Sequence, residues 1–418
     1  MKRAATLLTV FLGALGAAAE EVRLIDAVKA GDRAAVTRLL QQHVDVNLSQ
    51  RDGTTALHWA VHRNDLEIVD RLIRAGAKVR AVNRYGVAPL TLACESAAAD
   101  VVERLLEAGA DPNGTAADGE TVLMTAARTG DPAVIGALVA RGASVNAHEG
   151  RKGQTALMWA ATENNALAVD ALLKAGADLR ARSGGGFSSL LFAVRAGHRE
   201  VVGRLLKAGA SANEALPDGT SALTLAITNA HYELAAWLLE AGADPNADTP
   251  GWAPLHQLVW TRRPNGGLAE PPAVPTGTLS SLDLAKRLLA HGANPNAQIK
   301  KDRSLGFDDR HLLNRIGATP FLTAAHAADV EMMRLLAAGG ADTRLTTADR
   351  TTALMAAAGV GIWVVGESPG TNDEALEAVK LALELGGDVR AVNDFGYTAL
   401  HGAAHRGAPD IVRLLVAK

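Results

Sequence analysis

Apolar side chains recur along this chain in a fixed frame. One column runs Leu24, Leu57, Leu90, Leu123, Leu157, Leu190, Leu223 and Leu255, and continues at Phe321, Leu354 and Leu400. Most successive steps are 32 to 34 residues, a period that belongs to stacked-repeat architectures. Nineteen residues beyond most of these positions stands a glycine: Gly76, Gly109, Gly142, Gly176, Gly209, Gly242 and Gly340. Between the two marks the spacing predicts helix, turn, helix. In the second copy Leu57, Ala60 and Val61 make one apolar face, and Ile68, Val69, Leu72 and Ile73 make another. Each face is too narrow to bury itself, so neighbouring helix pairs are expected to cover one another. The glycine past the second helix is expected to take the left-handed conformation that closes a helix end without a side-chain clash.

The residues around the column sharpen this. Thr55-Ala56-Leu57-His58, Ala253-Pro254-Leu255-His256, Thr319-Pro320-Phe321 and Thr398-Ala399-Leu400-His401 share one register. Thr suits an N-cap, Pro suits the first helical turn where its missing N–H costs nothing, and Leu enters the core. Asp52-Gly53, Asp118-Gly119 and Asp218-Gly219 mark tight turns at finger tips. In these motifs the chain resembles the ankyrin-repeat family over about residues 22–418. The resemblance implies an all-α solenoid of helix-turn-helix repeats with short β-hairpin fingers, whose helices and fingers form a concave surface. It also implies that partners are held at variable positions on the finger tips and just after the alanines of the first helix. Several copies lack the Pro or the His of the motif. The hairpin carries Asn47, Asn113, Asn146, Asn213, Asn246 and Asn296, but Arg80, Arg180, Arg344 and Arg390 in other copies, which we read as drift within one architecture.

The boundaries expected are a leader at 1–19 and a single solenoid over 20–418 with about eleven repeats: 22–51, 52–84, 85–117, 118–151, 152–184, 185–217, 218–249, 250–315, 316–348, 349–394 and 395–418. Repeat 1 has His43 where the others have Gly, and Arg33, Arg38, Gln41 and Gln42 give it the polar face of an end cap. Insertions near Pro264–Ser281 and Gly361–Asp373 sit between the helices of repeats 8 and 10, and a third enters the finger between Gln298 and Arg315. Pro264, Gly266, Gly267, Pro271, Pro272 and Pro275 make the first a loop. The competing reading of that stretch is an interdomain linker.

Composition narrows the class. The chain is 48 % hydrophobic and 21 % charged, enough apolar surface to fold and too little net charge for disorder. The net charge of −3 predicts no nucleic-acid partner. Lys2 and Arg3, the apolar stretch Ala4–Leu15 and the small residues Ala17-Ala18-Ala19 form a secretory leader of bacterial type, with mature protein expected from Glu20. The apolar run is shorter than the roughly 20 residues of a membrane span, so no membrane attachment is expected after cleavage, and the location expected is periplasmic or secreted. The lone Cys94 shares a helical column with Val61, Ala127 and Val194, which marks it as a small core residue and excludes an intrachain disulfide.

Candidate chemistry is sparse. Gly366-Glu367-Ser368-Pro369-Gly370 matches a nucleophile elbow and precedes Asp388 and His401 in hydrolase order. The oxyanion site of that mechanism needs the N–H of the residue after serine, and Pro369 has none. His58/His62 and His401/His405 have the i, i+4 spacing of metal-ligand pairs but lack a third ligand; the structural role for His58 and His401 is a hydrogen bond to the neighbouring turn. Ser183-Gly184-Gly185-Gly186 could offer N–H groups to phosphate, against the simpler reading of a permissive finger tip. Asn47-Leu48-Ser49 and Asn113-Gly114-Thr115 match glycosylation sequons, with asparagines that the hairpin pattern already explains. We therefore expect no catalytic residues, no metal and no cofactor.

The two variable rows point to binding. Phe187, Arg195, Trp252, Trp260 and His326 fall close together along repeats 6 to 9, in residue types that dominate interface energies. They are the expected partner-binding patch, for a protein partner held by a monomer. The other reading is that Trp252 or Trp260 packs under the repeat 8 insertion as local core, while Trp59 and Trp159 are expected in the core column. The rival functions are an exported effector and a hydrolase-like site built from the loops of repeats 8 to 10.

Overall fold

A computed structural model describes residues 23–116, 118–248, 251–263, 273–301, 313–362 and 370–418. The chain forms two compact units, one of residues up to 193 with 200–210 and one of 194–199 with 211–418. Among the described residues the fold is all-α. No strand forms, and the fingers contribute three isolated antiparallel bridges, Ser49 with Thr55, Thr115 with Thr121 and Ala215 with Ser221. The expected β-hairpin fingers are thus turns rather than ribbons, because each finger is too short for a ladder to extend past one bridge.

In the first unit the pairs are α1 (23–30) with α2 (Arg33–Gln41), α3 (Ala56–His62) with α4 (Leu66–Arg74), α5 (Pro89–Glu95) with α6 (Ala99–Glu107), α7 (Val122–Thr129) with α8 (Pro132–Ala140), and α9 (Ala156–Thr162) with α10 (Ala166–Lys174). Helix α11 (Ser189–Ala196) and helix α12 (Arg199–Lys207) carry residues of both units. The second unit holds α13 (Ala222–Thr228) with α14 (Tyr232–Glu240), α15 (Pro254–Arg262) with α16 (Ser281–Ala290), α17 (Pro320–His326) with α18 (Val330–Ala338), α19 (Ala353–Ala358) with α20 (Asn372–Glu384), and α21 (Ala399–Arg406) with α22 (Pro409–Val416).

The helix starts follow from local chemistry. Thr121, Thr319 and Thr352 accept N–H bonds from Met124, Leu322 and Met355, each at 3.2 Å. Pro89, Pro254 and Pro320 occupy the first turn of α5, α15 and α17. Helices α2, α4, α8 and α18 are capped by aspartates, as where Asp65 accepts from Ile68 N–H at 3.2 Å. At the other end Gly76 has φ of +89°, a region that costs any side-chain-bearing residue about 1 kcal/mol or more. His43 stands at the matching point of repeat 1 with φ of +56°.

Packing runs from pair to pair. Ile68, Leu72, Leu105, Leu138 and Leu172 in the first unit, and Leu238, Leu288 and Leu336 in the second, are fully buried. Each such side chain contributes roughly 1.5–3 kcal/mol by leaving water. The hairpin asparagines add a polar counterpart. Asn47 Nδ2 donates to the Gly76 carbonyl at 3.1 Å while its Oδ1 accepts from Lys78 N–H at 2.7 Å. Asn113 does the same with Gly142 and Ser144, at 3.0 and 2.8 Å. In the second unit Asn296 binds Gly340 and Asp342, at 3.2 and 2.7 Å. Each amide reaches into the next repeat and satisfies a carbonyl that the helix end leaves open. Where Arg80 replaces Asn, its Nε donates to the Gly109 carbonyl at 2.7 Å, so the substitution keeps half of the clamp.

Replacing Asn113 by Ala removes both bonds at once. At about 1 kcal/mol for each, the variant should lose about 2 kcal/mol, read as a lower urea midpoint. Asn113→Asp, which keeps only the acceptor, should fall between the two proteins, and equal stability of all three would show that the clamp carries no weight.

Candidate functional site

The five residues singled out from the sequence occupy different environments. Phe187 belongs to the first unit. It is half-buried, with its ring 5.1 Å from that of Phe192 and its N–H bonded to Ser183 Oγ at 3.1 Å. The other four are in the second unit. Arg195 is exposed, and its carbonyl accepts from His231 Nε2 at 3.0 Å. Trp252 is only 3 % exposed; its indole N–H donates to the Lys301 carbonyl at 3.2 Å, and its ring meets that of Trp260 edge-on at 5.9 Å. Trp260 is half-buried under the Arg315 guanidinium, 4.7 Å from the ring. His326 is 8 % exposed and donates to the Gly361 carbonyl at 3.4 Å.

Trp252 and His326 therefore leave the exposed row. The physical reason for Trp252 is that repeat 8 carries a tryptophan both at its finger tip and at the end of its first helix, so the pair Trp252–Trp260 buries itself locally, with the one polar atom of Trp252 satisfied by a main-chain carbonyl. Trp260 and His326 line a cleft with Val259, Arg263, Leu313, Arg315, Thr323 and Ala327 whose free volume is about 20 Å³, room for about one water. Behind it Asp329, fully buried, caps α18 and pairs with Arg262 at 2.7 Å, while Arg263 reaches Glu374 at 2.9 Å. Burying a carboxylate is costly unless it is paired and hydrogen-bonded.

The chemical alternatives are answered residue by residue. His58 uses both ring nitrogens: Nδ1 accepts from Thr55 N–H at 3.2 Å and Nε2 donates to the Val87 carbonyl at 3.1 Å. The bond to the next turn is thus its structural role. Among the described residues no group of three His, Cys, Asp or Glu is placed to hold a metal ion. Cys94 is buried and its thiol is pushed up to about 12 by that burial, so thiolate chemistry is absent near neutrality. Ser368 lies outside the described residues. Asp388 accepts from Arg390 N–H at 2.8 Å and His401 Nδ1 from Thr398 N–H at 3.1 Å, so each serves its own loop. In the glycine-rich tip, Gly184 N–H donates to Lys152 and Gly186 N–H to Ser183, which commits those amides to the fold.

Sequence reasoning missed two sets of residues. Tyr85 and Phe395 stand at finger apices, 59 % and 64 % exposed. Arg84 lies 4.9 Å from the Tyr85 ring and donates to its hydroxyl at 2.7 Å, and Phe395 lies 6.5 Å from Tyr397. The signal was available: Tyr85-Gly86 and Phe395-Gly396 replace the Asp-Gly of other tips. Trp59 and Trp159, expected in the core, are half-exposed. Lys29 sits 4.4 Å from the Trp59 ring, and Trp159 Nε1 has no acceptor among the described residues, whereas Trp59 Nε1 donates to Gln50 at 3.0 Å.

Comparison with known proteins agrees with this architecture. A family model described as "Ankyrin repeats (3 copies)" matches residues 24–116, 99–183 and 185–266, and one described as "Ankyrin repeats (many copies)" matches 372–416. Together they cover more than half of the chain, which belongs to the ankyrin-repeat family. The "Notch-regulated ankyrin repeat-containing protein" of Xenopus tropicalis and that of Xenopus laevis are each 48 % identical over 46 residues, 11 % of this chain. The chain spans 40 % of the length of these relatives. Among solved structures, the human ASB11 ankyrin repeat domain aligns at 26 % identity and a TM-score of 0.44, over 54 % of this chain and 94 % of that one. Ankyrin repeats generally mediate protein–protein interaction. No described helix is long and apolar enough to cross a membrane.

Two buried histidines in the second unit set a pH dependence. Burial lowers His256 and His326 from the ordinary 6.5 to about 4, and for His326 the nearby Arg315 adds to it. Between about pH 6.5 and 4 the unfolded chain takes up protons that the folded chain refuses, so stability falls as pH is lowered through that window. The loss is on the order of 3 kcal/mol per histidine at its limit. Urea midpoints at pH 7 and pH 5 should differ more for the wild type than for His256→Gln, which does not titrate; equal differences would contradict this account.

Proposed function

We propose that this chain is an exported binding protein that holds a protein partner on its finger apices and on the exposed residues that follow the first helices. The observation that carries the reading is the exposure of Tyr85 and Phe395 at positions where Asp52, Asp118 and Asp218 stand in other fingers. A large apolar ring held in water by a short, hydrogen-bonded turn gains nothing for the fold, and it is the kind of side chain that anchors an interface. Arg195, exposed, and Trp260, half-exposed beneath Arg315, add surface in the second unit, and Phe187, half-buried against the buried Phe192, adds surface in the first. The core histidines and asparagines are held by bonds to the next repeat, and Cys94 is buried, which supports binding over catalysis.

The test is capture and loss. Affinity purification of the tagged chain from its source should recover a partner, and Tyr85→Ala with Arg195→Ala and Trp260→Ala should reduce recovery by about tenfold or more, the scale of losing interface anchors, with unchanged helicity. Recovery equal to wild type from the folded triple variant would reject the surface.

We read residues 20–418 as one solenoid because the leucine column keeps its spacing from Leu190 to Leu223 and resumes after each insertion. Export rests on the tripartite leader, whose residues 1–19 lie outside the described part of the chain. Expression in a bacterium should yield, in the periplasm or medium, protein whose first residue is Glu20; an uncleaved, cytoplasmic product would contradict export.

A further inference from the structure

The six hairpin asparagines differ in the residue that follows them. Leu48, Ala147, Glu214, Ala247 and Ala297 follow Asn47, Asn146, Asn213, Asn246 and Asn296, whereas Gly114 follows Asn113. The fold does not require that glycine. Its φ is not among the positive values of the chain. A Cβ built on it would meet the Asp111 carbonyl oxygen at 3.3 Å and Val122 Cγ1 at 3.9 Å, at a position where three sister repeats carry alanine. What the glycine changes is the chemistry of the asparagine. The main-chain nitrogen that follows an asparagine can attack its side-chain carbonyl carbon, Cγ, and glycine leaves that approach open because it has no Cβ. In the packed chain the reacting groups are all engaged. Asn113 Nδ2 donates to the Gly142 carbonyl at 3.0 Å, Oδ1 accepts from Ser144 N–H at 2.8 Å, and Gly114 N–H donates to the Asp111 carbonyl at 3.1 Å. Bringing Gly114 N onto Cγ turns the amide out of this clamp, so repeat 4 has to release it first. Asn113 is exposed, and water reaches it.

We infer that Asn113 is a site of spontaneous deamidation held shut by the junction between repeats 3 and 4, and that reaction there unlocks the junction irreversibly. Gly114 N bonds to Cγ and gives up its proton. The Cγ–Nδ2 bond breaks, and Nδ2 leaves with that proton as ammonia. Water then opens the five-membered imide ring at one carbonyl or the other, which gives aspartate or isoaspartate at 113. Neither product remakes the clamp. Aspartate keeps an acceptor for Ser144 N–H but sets an oxygen against the Gly142 carbonyl. Isoaspartate lengthens the main chain by one carbon inside the turn that Gly114 closes on Asp111. The same two hydrogen bonds that join the repeats are therefore the protection of the amide, and each opening of the junction exposes it to attack. The inference is independent of the finger surface proposed above.

The test is peptide mapping of the full chain by mass spectrometry, which separates Asn113 from Asn265-Gly266, the other such pair of the sequence, outside the described residues. At neutral pH Asn113 in the folded chain should convert about 30-fold or more slowly than in the chain unfolded in urea, the factor carried by two hydrogen bonds that break first. Wild type aged in urea and refolded should have a lower urea midpoint, in proportion to the fraction converted at 113, and its aspartate form should match Asn113→Asp made directly. Gly114→Ala should convert far more slowly in urea and keep its midpoint through the same ageing, while Asn265 reacts in it as in the wild type. Equal rates at Asn113 in the folded and unfolded wild type would overturn the inference. So would an aged Gly114→Ala that loses as much stability as the aged wild type, or an Asn113 that stays intact even in the unfolded chain.

Discussion

The structure depends on one constraint: a helix pair of this size has two narrow apolar faces and no third element to close over them. Only the neighbouring pair can remove those faces from water, so stability is passed along the chain rather than gathered at a centre. The polar groups obey the same rule. Asn47 and Asn113 spend their amides on the next repeat's helix end, His58 and His256 send Nε2 to the next finger, and Asn165 reaches back to the carbonyls of Ala127 and Arg128. Each repeat thus completes its neighbours' hydrogen bonds as well as their hydrophobic contacts.

This division leaves a clear remainder for function. Groups that could do chemistry in another setting, such as the imidazole of His256 or the thiol of Cys94, are buried and committed. What the packing does not use is the row of finger apices and the ends of the first helices. There side-chain identity changes from Asp52 to Tyr85 to Phe395, because where Asp52 accepts from Thr54 N–H the other two turns are held by Asn83 and Asn393 instead. A scaffold of this kind can change partners without changing its fold.

Repeat 8 shows how the remainder can be drawn back into the core. Its finger carries Trp252 and its first helix ends in Trp260, Arg262 and Arg263. The two indoles pack on each other, and the arginines gather Asp329, Glu331 and Glu374 into a small network. Side chains that look variable in an alignment of the repeats can therefore be structural wherever several large ones meet.

The period, the helix pairs, the caps at Thr121 and Thr319, the left-handed Gly76 and the role of His58 were all legible in the amino-acid order, since each depends on residues within one repeat or at a fixed offset in the next. Burial of the variable residues was not. His326 was read as exposed and is covered, Trp252 was open between the exposed row and local core and is covered, and Trp59 and Trp159 were read as core and are half-exposed. Whether a side chain in a given column meets water depends on the volumes of the groups that meet it from neighbouring repeats, such as Trp260 beneath Arg315. Local sequence determines which conformation each repeat adopts; only the packed chain decides which of its surfaces remain for a partner, because exposure is a property of neighbours brought together in space and not of the residue alone.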